Sequence, residues 1–129
     1  LDQNRLSLQL AILHKHSGIA TFDQDVFINV VGGIKVSETA SDLVVMLAIV
    51  SSLRDKVIPS KWIAFGEVGL TGEVRPVYNS MERLSEAQKQ GFEVAIIPKG
   101  NAPKKPIKGM KVVTVGYLYQ AIQYLLENS

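Results

Sequence analysis

The residues of this chain that could do chemistry are few and scattered. Ser41 offers a hydroxyl, and a serine becomes a nucleophile only beside a general base. His14 and His16 stand two apart, which places them on different faces of a helix, so a shared metal ion is not expected. They read as surface histidines near a helix end. Glu67 and Glu73 flank the link Gly69-Leu70-Thr71-Gly72 and could form a carboxylate pair for acid–base work; structural hydrogen bonds and subunit contacts are the reading preferred. Lys99, Lys104, Lys105, Lys108 and Lys111 fall in one stretch with no acidic residue among them. Such a segment can neutralise phosphates without reading nucleic-acid sequence, or it can be an ordinary solvated loop. Arg75 is a second basic candidate. Gly32-Gly33-Ile34-Lys35 lacks the spacing of a phosphate-binding Gly-x-x-x-x-Gly-Lys-Ser/Thr loop, so ATP hydrolysis is not expected of this domain.

Composition narrows the field. The 129 residues suffice for a single domain, residues 1–129, with a real core. A hydrophobic fraction of 47% beside 20% charged residues is that of a soluble globular protein. The longest apolar run, Leu43–Val50, has eight residues, too few to span a bilayer, so no membrane partner is expected. With no cysteine there is no disulfide, no thiolate zinc site and no cysteine nucleophile, which agrees with a cytoplasmic location. The chain opens Leu1-Asp2-Gln3-Asn4-Arg5, without Met and without a basic start leading into an apolar stretch. The expectation is a fragment of a longer protein without a signal peptide. Net charge is only +2, but all twelve acidic residues lie outside the lysine stretch, so the rest of the chain is net acidic.

The elements that must position these residues alternate between helix and strand. Leu6, Leu10 and Leu13 predict a helix over 4–16, ended by Gly18. Residues 25–31 predict a strand closed by Gly32-Gly33. A helix buried on nearly all sides is predicted from Leu43 to Val50 and on to Leu53, capped by Thr39 or Ser41. Strands are predicted over 61–68 and 73–77, joined as a tight hairpin. Asn79-Ser80 should cap a helix to Gln90, with Met81, Leu84 and Ala87 inward and Gly91 as its C′ residue. Strands over 94–97, stopped by Pro98, and 111–115 follow, then a helix over 117–126. Between them, 100–109 with Pro103 and Pro106 is linker-like. Trp62 and Phe65, three apart in a strand, should point to opposite faces. The fold class is α/β, with a mixed sheet and about four helices.

Two segments carry a family resemblance. The first is Lys35-Val36-Ser37-Glu38-Thr39-Ala40-Ser41-Asp42-Leu43, leading into Ala48–Leu53; the second is Phe65-Gly66-Glu67-Val68-Gly69-Leu70-Thr71-Gly72-Glu73-Val74-Arg75-Pro76-Val77, followed by Glu82-Arg83-Leu84. Their order resembles the proteolytic domain of the Lon peptidases, a fold of the ribosomal protein S5 domain 2-like type. The Val-Ser-Glu-Thr and Phe-Gly-Glu-Val-Gly wording is similar to the RadA (Sms) branch of that superfamily. The resemblance runs from about Asp2 to Leu126.

It implies a serine nucleophile with a lysine base, a lysine kept neutral by burial. Matching the segments places the serine on Ala40 and the lysine on Met81, so both roles fail together. A shifted match puts Ser41 at the nucleophile position, still without a base; Ser41 otherwise reads as a helix cap. The resemblance also implies a parent with a zinc finger and a RecA-like ATPase, hence zinc, ATP and magnesium there and no cofactor in this domain. Such parents process recombination intermediates and promote branch migration. The implied partners are further copies in a homo-hexameric ring, single-stranded or branched DNA, and RecA as a further candidate. Arg75 would then stand where a ring's central channel could meet it. The function expected is a non-catalytic scaffold of a DNA repair ATPase; the rivals are a serine peptidase using Ser41 and a protein–protein interaction module.

Overall fold

The computed structural model describes residues 39–128. The helix expected over 4–16, the strand over 25–31, His14, His16 and Lys35 lie outside the described residues. A short 3₁₀ turn, Thr39–Ser41, leads into α1 (Asp42–Leu53). Then follow β1 (Trp62–Ala64), β2 (Glu67–Val68), β3 (Val74–Arg75), α2 (Ser80–Lys89), β4 (Val94–Pro98), a 3₁₀ turn at Lys99–Asn101, β5 (Lys111–Val115) and α3 (Leu118–Asn128).

The apolar run behind α1 leaves it almost no polar face, and the helix is buried accordingly. Leu43, Val45, Met46, Leu47, Ile49 and Val50 are all in the core. At its start Ser41 continues the 3₁₀ turn with right-handed helical backbone (φ −86°, ψ −3°) and its side chain makes no capping bond. The expected Ser41 cap is therefore absent, because capping requires extended backbone that folds the hydroxyl back over the first turn. Instead the turn is stitched to a neighbour: the Gly66 amide donates to the Ala40 carbonyl at 2.9 Å, and the Leu43 amide donates to the Gly66 carbonyl at 3.0 Å.

The single strand expected over 61–68 is split. Its first part, β1, joins a parallel sheet in the order β1-β4-β5, with Trp62 opposite Val94 and Val94 opposite Lys111. Its second part, β2, pairs antiparallel with β3, Glu67 opposite Arg75, in the hairpin that the two glycines predict. Among the described residues the larger sheet is thus parallel and not mixed; the antiparallel pairing is confined to the separate hairpin. Gly66 is where the chain leaves the sheet. A Cβ there would fall 2.9 Å from the Val74 side chain and 3.2 Å from the Pro98 ring, so only glycine allows hairpin and sheet to meet so closely. Of the about four helices expected, the three that fall among the described residues are present, and the one over 4–16 lies outside them.

The sheet is covered on both faces. In the central strand β4, Ile96 faces α1 and α3, while Ala95 and Ile97 face α2, the two-residue period of a strand buried on both sides. Trp62 packs with the first group and Phe65 with the second, on opposite sides as their spacing predicts. On α3, Leu118, Ala121, Ile122 and Leu125 form the buried stripe. On α2, Leu84 and Ala87 are buried, but Met81 is 54% exposed and not inward as expected. Asn79 sits in left-handed backbone (φ 59°) and makes no side-chain cap, which again differs from expectation. The other end follows the sequence. Gly91 (φ 88°) donates to Gln88 at 3.1 Å and Phe92 to Ala87 at 3.0 Å, the paired bonds of a Schellman stop.

Candidate functional site

The positions implied for a catalytic dyad carry no such chemistry. Ala40 is buried beneath the hairpin, its carbonyl committed to Gly66, and a methyl side chain has nothing to donate. Met81 stands in the first turn of α2 with its thioether exposed. It lines a groove of about 520 Å³ together with Ser80 and residues 100–107, a set that does not include Ala40 or Ser41. Ser41 is half-buried at the base of α1.

The residue next to it matters more to the structure. Asp42, the first residue of α1, is 6% exposed, and its Oδ2 accepts the Val68 amide at 3.1 Å. A carboxylate in a helix's first turn also faces the positive end of the helix dipole. Asp42 thereby ties α1 to the hairpin. Reading the run 37–42 as capping residues misses this role, because burial depends on β2 arriving from elsewhere in the chain.

The hairpin gathers Glu67, Glu73, Thr71 and Arg75. Arg75 donates to Glu73 Oε2 at 2.8 and 3.2 Å and to Glu67 Oε1 at 3.3 Å. Glu73 Oε1 also accepts the Thr71 hydroxyl at 2.5 Å and the Thr71 amide at 3.1 Å. Held first by the Thr71 hydroxyl and then by the Arg75 guanidinium, the Glu73 carboxyl is lowered to about 2. A general acid must hold a proton near neutral pH, so Glu73 is placed for hydrogen bonding instead. Arg75 is in turn raised by the Glu73 carboxylate. One guanidinium between two carboxylates makes a locally acidic cluster, so a phosphate approaching Arg75 meets two negative charges first.

The five lysines are all exposed but are not gathered into one patch. Lys99 follows the C-terminal end of β4, while Lys111 opens β5 at the opposite end of the sheet. Roughly 13 Å of strand separates the two ends. Lys111 lies over the Tyr124 ring, 5.4 Å from its centre. Lys104 and Lys105 lie on the crossover between β4 and β5, beside the groove that Met81 lines. Lys108 follows them, its carbonyl accepting the Gln88 side-chain amide at 2.6 Å. The linker-like stretch is anchored: the Asn101 side chain accepts the Val77 amide at 2.8 Å and donates to the Val77 carbonyl at 3.1 Å. Ile107 and Met110 pack on the α2 side of the sheet. The groove and its Asn101 clamp were not foreseen; Ile107 and Met110 in an otherwise polar stretch were the available signal.

Among the described residues no group of three or more His, Asp or Glu side chains is placed to hold a metal ion. Nor is any helix among them long and apolar enough to cross a membrane.

Several known proteins are similar to this chain in sequence. Over 98% of its length the chain is 59% identical to the DNA repair protein RadA of Pseudomonas aeruginosa. Over 95% it is 55% identical to the DNA repair protein RadA of Escherichia coli (strain K12). Over 98% it is 34% identical to the DNA repair protein RadA of Mycobacterium tuberculosis. It spans only 28%, 26% and 26% of the lengths of these three relatives. Residues 5–101 match the family described as subunit ChlI of Mg-chelatase, and with well over half of its residues inside that match the chain belongs to this family.

Proposed function

We propose that the chain is a non-catalytic, Lon-type scaffold domain within a RadA-type DNA repair ATPase. In this reading it assembles copies of the parent into a ring and supports processing of recombination intermediates, including branch migration. The observation that carries the non-catalytic part is the pair Ala40 and Met81: one buried methyl and one exposed thioether where a nucleophile and a buried lysine would be needed. The relatives named as DNA repair proteins support the cellular role. Because the chain spans about a quarter of their length, ATP, magnesium and zinc belong in the proposal to the remainder of the parent. The dispersal of the lysines over both ends of the sheet favours assembly as this domain's own task, with the attached ATPase taking most of the DNA contact.

The test uses the full-length protein in cells exposed to DNA damage, paired with sedimentation of the purified protein. Removing this domain should abolish both ring assembly and repair, while Ser41→Ala should leave both intact. Loss of repair in a folded, ring-forming Ser41→Ala variant would favour the peptidase reading. Normal assembly without the domain would remove the scaffold role.

A further inference from the structure

The groove beside Met81 has two properties that belong together. Its lining is mainly apolar, with Met81, Ala102, Pro103, Pro106 and Ile107 as a floor beside the polar Ser80 and Asn101, and the exposed Lys104 and Lys105 line it as a charged rim. Among the described residues no carboxylate pairs with either lysine. Met81 also stands at helical spacing from the buried Leu84 and Ala87, so it continues their apolar stripe into solvent. An apolar stripe that none of the described residues covers, next to cations that none of them pairs, marks a surface that a partner can complete.

We infer that this groove docks an acidic peptide segment of a partner protein, one that carries aliphatic side chains between its carboxylates. The charge of the rim selects the acid: two lysines and no acidic residue line the groove. The floor selects a peptide over a nucleic acid. Single strands bind by stacking bases on aromatic rings, and none of the groove's lining residues is aromatic. A phosphate backbone also gains nothing from an aliphatic floor, whereas leucine or isoleucine side chains do. The walls are set before any partner arrives. Asn101 fixes the crossover to Val77 through both backbone groups, and the two prolines stiffen the crossover's backbone, so little ordering cost falls on binding. Met81 supplies the adaptable element, since an unbranched thioether can repack around different aliphatic side chains.

The test is fluorescence anisotropy on the intact chain with three probes: a labelled peptide of alternating glutamate and leucine, a glutamate–serine peptide of equal charge, and oligothymidylate. The first should bind, and the second should bind at least about tenfold more weakly. Met81→Glu and the double variant Lys104→Glu/Lys105→Glu should each weaken the first by about tenfold or more, with melting temperatures unchanged because all three side chains are exposed. Oligothymidylate should not displace the leucine-bearing peptide. Equal binding of the two peptides would reduce the site to surface charge and overturn the inference. Binding of oligothymidylate that competes with the peptide, weakened by the lysine variant but not by Met81→Glu, would assign the groove to DNA. No binding of the first peptide at millimolar concentration would overturn it outright.

Discussion

Truncating Leu47 in the middle of α1 tests the packing that holds the domain together. Leu47 is 2% exposed and borders a small cavity of about 20 Å³ lined also by Val44, Ile58, Trp62, Ile96 and Leu125. Leu47→Ala removes three carbon groups at about 0.8 kcal/mol each, roughly 2.4 kcal/mol of transfer free energy. The void left behind adds to this, and it merges with the cavity already present, so the walls gain little by collapsing. A total of about 3–4 kcal/mol follows, within the range seen for buried leucines. In a domain of this size each kcal/mol lowers the melting temperature by about 3–5 °C, which predicts a fall of roughly 9–20 °C. Circular dichroism melting of wild type and variant measures it. Leu47→Asp should go further and leave the domain unfolded at neutral pH, since an unpaired buried carboxylate has nothing to offset its lost hydration. A Leu47→Asp chain that melts like wild type would show that α1 is not the core helix and would refute the reasoning.

Three further outcomes are expected. Asp42→Ala should cost about 1–3 kcal/mol by depriving the Val68 amide of its acceptor, with faster hydrogen exchange at Val68; unchanged exchange there would contradict the tie between α1 and the hairpin. The Glu73 carboxyl should titrate at about 2 by carbon-detected NMR, and Thr71→Ala should raise that value. Because its pKa is depressed on folding, the contribution of Glu73 to stability is complete above about 4.5 and is lost as pH falls toward 2; a midpoint near 4.5 in the folded protein would dissolve the cluster. Gly91→Ala should destabilise by about 1–2 kcal/mol in chemical denaturation through left-handed backbone strain alone, because a Cβ there meets nothing closer than 3.8 Å.

What the sequence showed and what it concealed divide along a physical line. Features fixed by neighbours in the chain were legible: the eight-residue apolar run of α1, the hairpin around Gly69 and Gly72, the Gly91 stop, and β5 over Lys111–Val115. Features fixed by distant parts of the chain were not. The run 61–68 looks like one strand because every residue in it suits a sheet. Only the approach of Val74 and Pro98 to Gly66 shows where it must break. Pro98 itself was expected to stop β4 and instead forms its last residue, opposite Val115. The pairing of β1 with β4 ends at Ile96, so Pro98 is paired only with β5 and stands at an edge position, which proline tolerates. Met81 fits an inward stripe by spacing, yet nothing among the described residues covers the first turn of α2 on that side. The same holds at the candidate site. The residue types at positions 40 and 81 were readable from the chain itself, whereas the groove beside Met81 exists only once Asn101 has drawn the crossover against Val77.

The central claim, that a domain of this architecture works without catalysis, is tested most directly by incubating the assembled full-length protein with ATP, magnesium and casein or short fluorogenic peptides. With a methyl at Ala40 and a thioether at Met81, cleavage should not exceed the blank at any pH from 6 to 9, a range about the ordinary operating pH of side-chain bases. Turnover above the blank that disappears in Ser41→Ala would contradict the claim.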